Sequence, residues 1–191
     1  MGTKFRTEGG GRVYAFEPQR LLCSYLRRSI LENRLSDYVA VEEFAVGAHD
    51  GIVDLSGATS DRSTFAITSL PATGGQISEE RDVPVKALDG LDRDWGEIGM
   101  IKIDVEGAEP MFLEGARERI HRHKPSIVSE VSDRMTMRTS SVRAIDYIRD
   151  IANLGYEVRS LRAGGRLGAP KDLGELALRD VQNLVFWPIG R

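Results

Sequence analysis

Short apolar runs alternate along this chain with stretches of helical periodicity. Arg12 to Phe16 (RVYAF) is a near-continuous β-prone run that stops at Glu17-Pro18, the pattern of a strand covered on both faces. Leu21, Leu22, Tyr25, Leu26 and Ile30 then recur at helical spacing, with Arg27, Arg28 and Glu32 opposite, which predicts an amphipathic helix ending near Asn33. Val39 to Val46 is the next strand, broken at Gly47. Strand, helix and strand in that order form a βαβ unit, whose two strands pair in parallel. After His49-Asp50-Gly51, the run Ile52 to Leu55 is expected to fold back antiparallel, because Asp-Gly between β-prone runs is a hairpin signal.

Gly57 to Asp82 is rich in Ser, Thr and Gly, with one apolar knot at Phe65 to Leu70. The pattern fits a lid or binding loop, or equally a surface excursion with a short strand. Val83 to Leu88 is a strand that Pro84 assigns to an edge or a strand start. Gly99 to Val105 (GMIKIDV) has the strongest buried-strand pattern, and a helix from Pro110 to about Arg122 follows, with Phe112, Leu113, Ala116 and Ile120 on one face. Ser126 to Val131 is a further strand. Ser140 or Ser141 is expected to cap a helix faced by Val142, Ile145, Ile148, Ile151 and Ala152 and ended by Gly155. Tyr156 to Leu161 is a strand, Ala163 to Pro170 a Gly-rich loop, and Gln182 to Trp187 the last strand. With no full helix between them, the last two strands are expected to pair antiparallel at a sheet edge. The whole describes one α/β domain over residues 1–191, mostly parallel, with an antiparallel C-terminal edge pair.

Composition adds exclusions. Lys and Arg total 26 against 29 Asp and Glu, a formal charge of −3, so no basic excess marks a nucleic-acid binder. No apolar run reaches the ~20 residues of a membrane span, and Met1 to Gly11 lacks the apolar segment of a signal peptide. The one cysteine, Cys23, can form no internal disulfide and lies in an apolar stripe. These features point to a cytoplasmic protein without membrane or nucleic-acid partners. His49, His121 and His123 show no metal-ligand spacing, so no metal is expected.

Three places carry candidate chemistry. Glu17 follows the C-terminal end of a parallel strand, where open α/β sheets bind ligands. A carboxylate there can accept two hydrogen bonds from a ribose diol, or can simply start a helix, favoured by its dipole. Lys102 to Glu109 (KIDVEGAE) puts Asp104 and Glu106 at a strand-to-helix handover, with Gly107 allowing a tight turn. Asp104 suits the orientation of an amine or a hydroxyl, and Lys102 can pair with a carboxylate. Glu109 is more simply a first-turn helix charge. Glu130 sits near the end of a strand, where Glu is unfavoured; it either faces the site or pairs with an Arg.

The stretches VYAFEP, EEFAVGAHDG with IVDL, IKIDVEGAE followed by FLEGA, KPSIVSEV and NLVFWP resemble, in this order, the FkbM-type methyltransferases. The resemblance runs from about Val13 to Pro188 and is most specific at IKIDVEGAE. It implies a Rossmann-like class I methyltransferase sheet, S-adenosylmethionine (AdoMet) as methyl donor, and transfer to a hydroxyl oxygen of a small-molecule acceptor such as a sugar or polyketide. It implies that Glu17 holds the ribose of AdoMet, that Ala45 and Val46 lie beside the adenine, and that Asp104 sits near the methionine end or the acceptor, with Glu106 and Glu130 as further catalytic candidates. Family members carry a strand, a Gly-rich turn and a helix before the VYAFEP strand, whereas here eleven residues precede Arg12. The first strand and helix are therefore expected to be missing, since they need about twenty residues. A homodimer covering the exposed strands is one expectation. A methyltransferase-like domain that serves binding or interaction without catalysis is the alternative function.

Overall fold

The structure, a computed structural model, describes residues 11–58, 65–67, 77–176, 178 and 181–190. The expected βαβ unit is present. Strand β1 (Val13–Phe16) leads through Glu17-Pro18 into helix α1 (Arg20–Glu32) and returns as β2 (Val39–Glu42). The two strands pair in parallel, Val13 opposite Val39 and Phe16 opposite Glu42. Helix α1 buries Cys23 and Ile30, but Leu21 and Tyr25, from the same apolar stripe, are 44% and 59% exposed.

The run Val39 to Val46 is two strands, not one. Strand β2 ends at Glu42, and β3 (Ala45–Val46) belongs to a different sheet. That sheet has the order β3-β6-β4-β5, where β4 is Gly51–Ala58, β5 Phe65–Ile67 and β6 Ile77–Lys86. Strand β4 does reverse direction after Asp50-Gly51, but its partner is β6, which runs antiparallel to it and parallel to β3. The Asp50 Oδ1 accepts from the Ala87 amide at 2.9 Å, so the turn is tied to the end of β6 and not closed as a two-residue hairpin. Pro84 therefore lies in an inner strand, one residue before the pairing with β3 begins at Val85. The described residues of the Gly57 to Asp82 stretch are strand, in β4, β5 and β6; residues 59–64 and 68–76 of it lie outside the described residues.

The largest sheet has the order β10-β9-β11-β8-β7. Strands β7 (Met100–Ile103) and β8 (Ser126–Val131) pair in parallel. Strand β11 (Gln182–Pro188) inserts between β8 and β9 (Tyr156–Arg162), antiparallel to both. The expected antiparallel pair of β9 and β11 exists but is not an edge, because β10 (Arg166–Pro170) covers β9. What reads as a Gly-rich loop is thus a short turn and an edge strand. Mixed sheets replace the mostly parallel one: among the described residues three strand pairings are parallel and five antiparallel. In these pairings β1 and β7 each have a partner on one side only.

The helix expected from Pro110 to Arg122 is broken into α2 (Glu109–Gly115) and α3 (Arg117–His123). Asp89, from the loop before β7, makes the break. Its amide donates to the Gly115 carbonyl at 2.7 Å, and its carboxylate accepts from the amides of Glu118 and Arg119 at 2.9 and 3.0 Å. It thereby supplies α3 with the capping oxygen that Ala116 lacks. Gly115 is required by close approach, since a Cβ there would lie 2.0 Å from the Gly47 carbonyl oxygen.

Helix α4 (Asp133–Thr139) had no signature, as Met135 and Met137 stand two apart and only Thr136 is buried. Helix α5 (Ala144–Asn153) is capped from Asp133, whose Oδ1 accepts from the Ala144 amide at 2.9 Å, and not from Ser140 or Ser141. Its face of Tyr147, Ile148 and Ile151 is fully buried with Ile120, Ile127, Val131, Leu184 and Phe186. This is the core on which β7 and β8 are fixed. The β1–β2 sheet joins the loop before β7 through Arg93, which pairs with Glu42 at 2.6 Å and lies over the rings of Tyr14 and Trp95.

Candidate active site

Two strand ends carry the candidate carboxylates. At the end of β1 the parallel ladder continues one step, from the Glu17 amide to the Glu42 carbonyl at 3.0 Å. Pro18 then turns the chain into α1. The half-buried Glu17 side chain accepts from the Gln19 amide through Oε1 at 2.8 Å, and the Glu17 carbonyl accepts from the Cys23 thiol at 2.9 Å. The carboxylate is thus oriented by the turn that carries it. Ala45 and Val46 are buried in β3 at 7% and 6% exposure, and Val46 belongs to the main core.

At the end of β7 the buried Ile103 hands over to a tight turn. Glu106 and Gly107 both have positive φ, 53° and 97°. Gly107 has no room for a side chain, because a Cβ would sit 2.3 Å from the Met135 carbonyl oxygen. The turn is pinned further where the Thr139 hydroxyl donates to the Glu106 carbonyl at 3.1 Å. Helix α4 therefore clamps the turn from above. Asp104 accepts from Lys102 Nζ at 2.7 Å, the pairing expected for Lys102. Both groups are close to half exposed, and such a pair contributes little to stability.

The structure brings Asp104, Glu106 and Glu130 together. They line one cavity with Glu109, Ser132 and Met135, and its volume is about 20 Å³. Glu17, Ala45 and Val46 do not line it. Glu130 reaches it from β8, where it stands opposite Asn183 of β11. A wider open depression of about 400 Å³ lies along α3, bounded by Arg117, Glu118, His121, Arg122 and Leu154. It contains none of these carboxylates and is a solvated helix face.

Glu109 is the residue that the sequence undervalued. It is 2% exposed. Its Oε1 accepts from the Gly107 amide at 3.1 Å, so it holds the turn in place. Its Oε2 is buried and has no hydrogen-bond partner among the described residues. Burial pushes the Glu109 carboxyl above the usual carboxylate range; hydrogen bonds from nearby backbone amides oppose the shift and the charge of Asp104 adds to it. Behind it Tyr147 is raised by its own burial, partly offset by its hydrogen bond to Ser129 and reinforced by the charge of Glu109. Among the described residues no group of three or more His, Cys, Asp or Glu side chains has a geometry that could hold a metal ion. None of the described helices is long and apolar enough to cross a membrane.

The fold and the comparisons with known proteins define the class. The chain is similar to the crystal structure of the methyltransferase FkbM from Methylobacillus flagellatus KT, with a TM-score of 0.51 and 20% identity. The match covers 92% of this chain and 36% of that one, so the chain spans little more than a third of that protein's length. At this identity the likeness defines an α/β fold with mixed sheets. The model of the methyltransferase FkbM domain matches residues 3–158, and the chain belongs to this family. No curated protein matches it.

Proposed function

We propose that the chain binds AdoMet and directs its methyl group to a hydroxyl oxygen of a small molecule. The observation that carries the reading is the coincidence of family membership with carboxylates at the C-terminal ends of two parallel strands, Glu17 after β1 and Asp104 after β7. That end of a sheet is where α/β folds take their ligands.

The donor chemistry fits the cofactor. Glu17 is an oriented, half-buried carboxylate suited to the two hydroxyls of a ribose. Ala45 and Val46 would offer an apolar pair beside the adenine, and Asp104 an acceptor for the amino end. When bound, AdoMet supplies a methyl group on a sulfonium, open to in-line displacement by an oxygen. The protein's part is alignment. One of Asp104, Glu106 or Glu130 would accept the proton that the attacking hydroxyl loses.

Calorimetric titration with AdoMet tests the reading. Micromolar affinity is expected, falling at least tenfold in Glu17→Ala, since a charge-assisted hydrogen-bond pair is worth about 1.5–3 kcal/mol. Absence of binding at millimolar AdoMet would remove the reading and favour a methyltransferase-like domain used for binding alone.

A further inference from the structure

We infer that Arg134 and Arg138 of α4 form an anion site at the rim of the candidate active site, and that the methyl acceptor is a phosphorylated small molecule. The second half rests on the methyltransferase reading above; the first does not. Helix α4 closes over the β7 turn: Met135 lines the carboxylate cavity, and the Thr139 hydroxyl donates to the Glu106 carbonyl. Thr136, on a neighbouring face of the helix, is buried. Successive residues of an α-helix stand about 100° apart around its axis. Arg134 and Arg138 therefore share one face, next to the turn-facing Met135 and Thr139 and on the side away from Thr136. Both are exposed, so two guanidinium groups flank the turn on its solvent side.

The fold gives these two cations no counter-ion among the described residues. No ion pair or hydrogen bond joins either side chain to another described residue. The carboxylates around them are engaged elsewhere. Asp133 accepts from the Ala144 amide, Asp104 pairs with Lys102, and Glu106 has an interaction partner of its own. The helix does not favour the pair either. Like charges four residues apart oppose helix formation, and Arg134 stands in the first turn, where the helix dipole disfavours a cation. A bound anion relieves both penalties. Guanidinium forks offer paired N–H donors that match phosphate oxygens, and the nearly double charge of a phosphate monoester suits two cations. The carboxylate of the donor does not require them. It lies one carbon from the amino end proposed to sit at Asp104, where Lys102 already supplies a positive charge.

The test is a titration of the nitrogen-15-labelled protein at constant ionic strength, followed at the amides of Gly107, Met135 and Arg138, with three probes: glycerol 3-phosphate, inorganic phosphate and glycerol. Saturable shifts with the two phosphates at millimolar concentration, and none with glycerol, are expected. Binding should weaken about fivefold or more in Arg134→Gln and in Arg138→Gln, and stay unchanged in Arg117→Gln on α3, each variant checked for folding by its dispersed spectrum. No saturable response, or an equal loss in Arg117→Gln, overturns the inference. Tighter binding of glycerol 3-phosphate, with a shift at Gly107, supports the phosphorylated acceptor; equal affinities confined to α4 assign the site to free phosphate and overturn the acceptor half. The titration is then repeated with saturating AdoMet. Retained binding supports the acceptor assignment, whereas mutual exclusion gives the arginines to the donor's carboxylate and overturns it. AdoMet binding without any phosphate response overturns this inference and leaves the methyltransferase reading standing. Phosphate binding by a protein that takes no AdoMet upholds the anion site and removes the acceptor role along with that reading.

Discussion

Gly107→Ala strikes the turn that carries the acidic site. Gly107 has a φ of 97°, a backbone region where an L side chain costs about 1–3 kcal/mol. The new Cβ would also lie 2.3 Å from the Met135 carbonyl oxygen, 2.6 Å from its carbon and 2.8 Å from Thr139 Oγ1. Two of these atoms are backbone and cannot rotate away, so α4 must shift. Overpacking of this kind costs about 1–3 kcal/mol, for a total of about 2–6 kcal/mol. Against a usual stability of about 5–15 kcal/mol this is a large fraction. For a chain of this length it lowers Tm by about 2–4 °C per kcal/mol, or roughly 5–20 °C. Thermal unfolding followed by circular dichroism, with urea unfolding as a second estimate, reads the change. A fall in Tm below about 2 °C would show that the turn yields freely, and that neither its conformation nor its contact with α4 is needed to hold the carboxylates.

Three further outcomes follow from the same structure. Because the Glu109 carboxyl is raised by burial, its contribution to stability is full below the ordinary carboxylate range and is lost as pH rises through its folded value. Glu109→Gln is therefore expected to gain on the wild type with rising pH, reaching about 1–3 kcal/mol at pH 8 and vanishing near pH 4; a Tm difference independent of pH would refute the assignment. Asp89→Ala removes the cap of α3 and should cost about 1–2 kcal/mol in urea unfolding, an effect that Asp89→Asn should largely spare. A homodimer is expected to cover β1 and β7, each paired on one side only among the described residues; sedimentation at micromolar concentration should show it, and a stable monomer would count against it.

Much of this fold can be read from periodicity, where local pattern and final environment agree. The β1-α1-β2 unit, the buried face of α5, and strands β8, β9 and β11 all obey it. The failures have long-range causes. Asp89 breaks a helix 29 residues further along, and nothing within the run from Pro110 to Arg122 announces it. Strand β11 enters between β8 and β9 from the end of the chain, so what looks like an edge becomes an interior. The site divides in the same way. Asp104, Glu106 and Glu130 do line one cavity, as strand-end positions suggested. Glu109 was undervalued because its burial comes from packing with elements remote in sequence, and helix α4, whose Met135 and Thr139 close over the turn, had no amphipathic pattern.

The proposed function requires Glu17 and Asp104, at the ends of separate strands, to serve a single ligand. A crystal structure with S-adenosylhomocysteine tests it most directly. Ribose hydroxyls are expected within hydrogen-bond distance of Glu17, and the amino-acid end of the same molecule beside Asp104. A ligand that touches only one of these carboxylates, or that lies elsewhere on the protein, would contradict it.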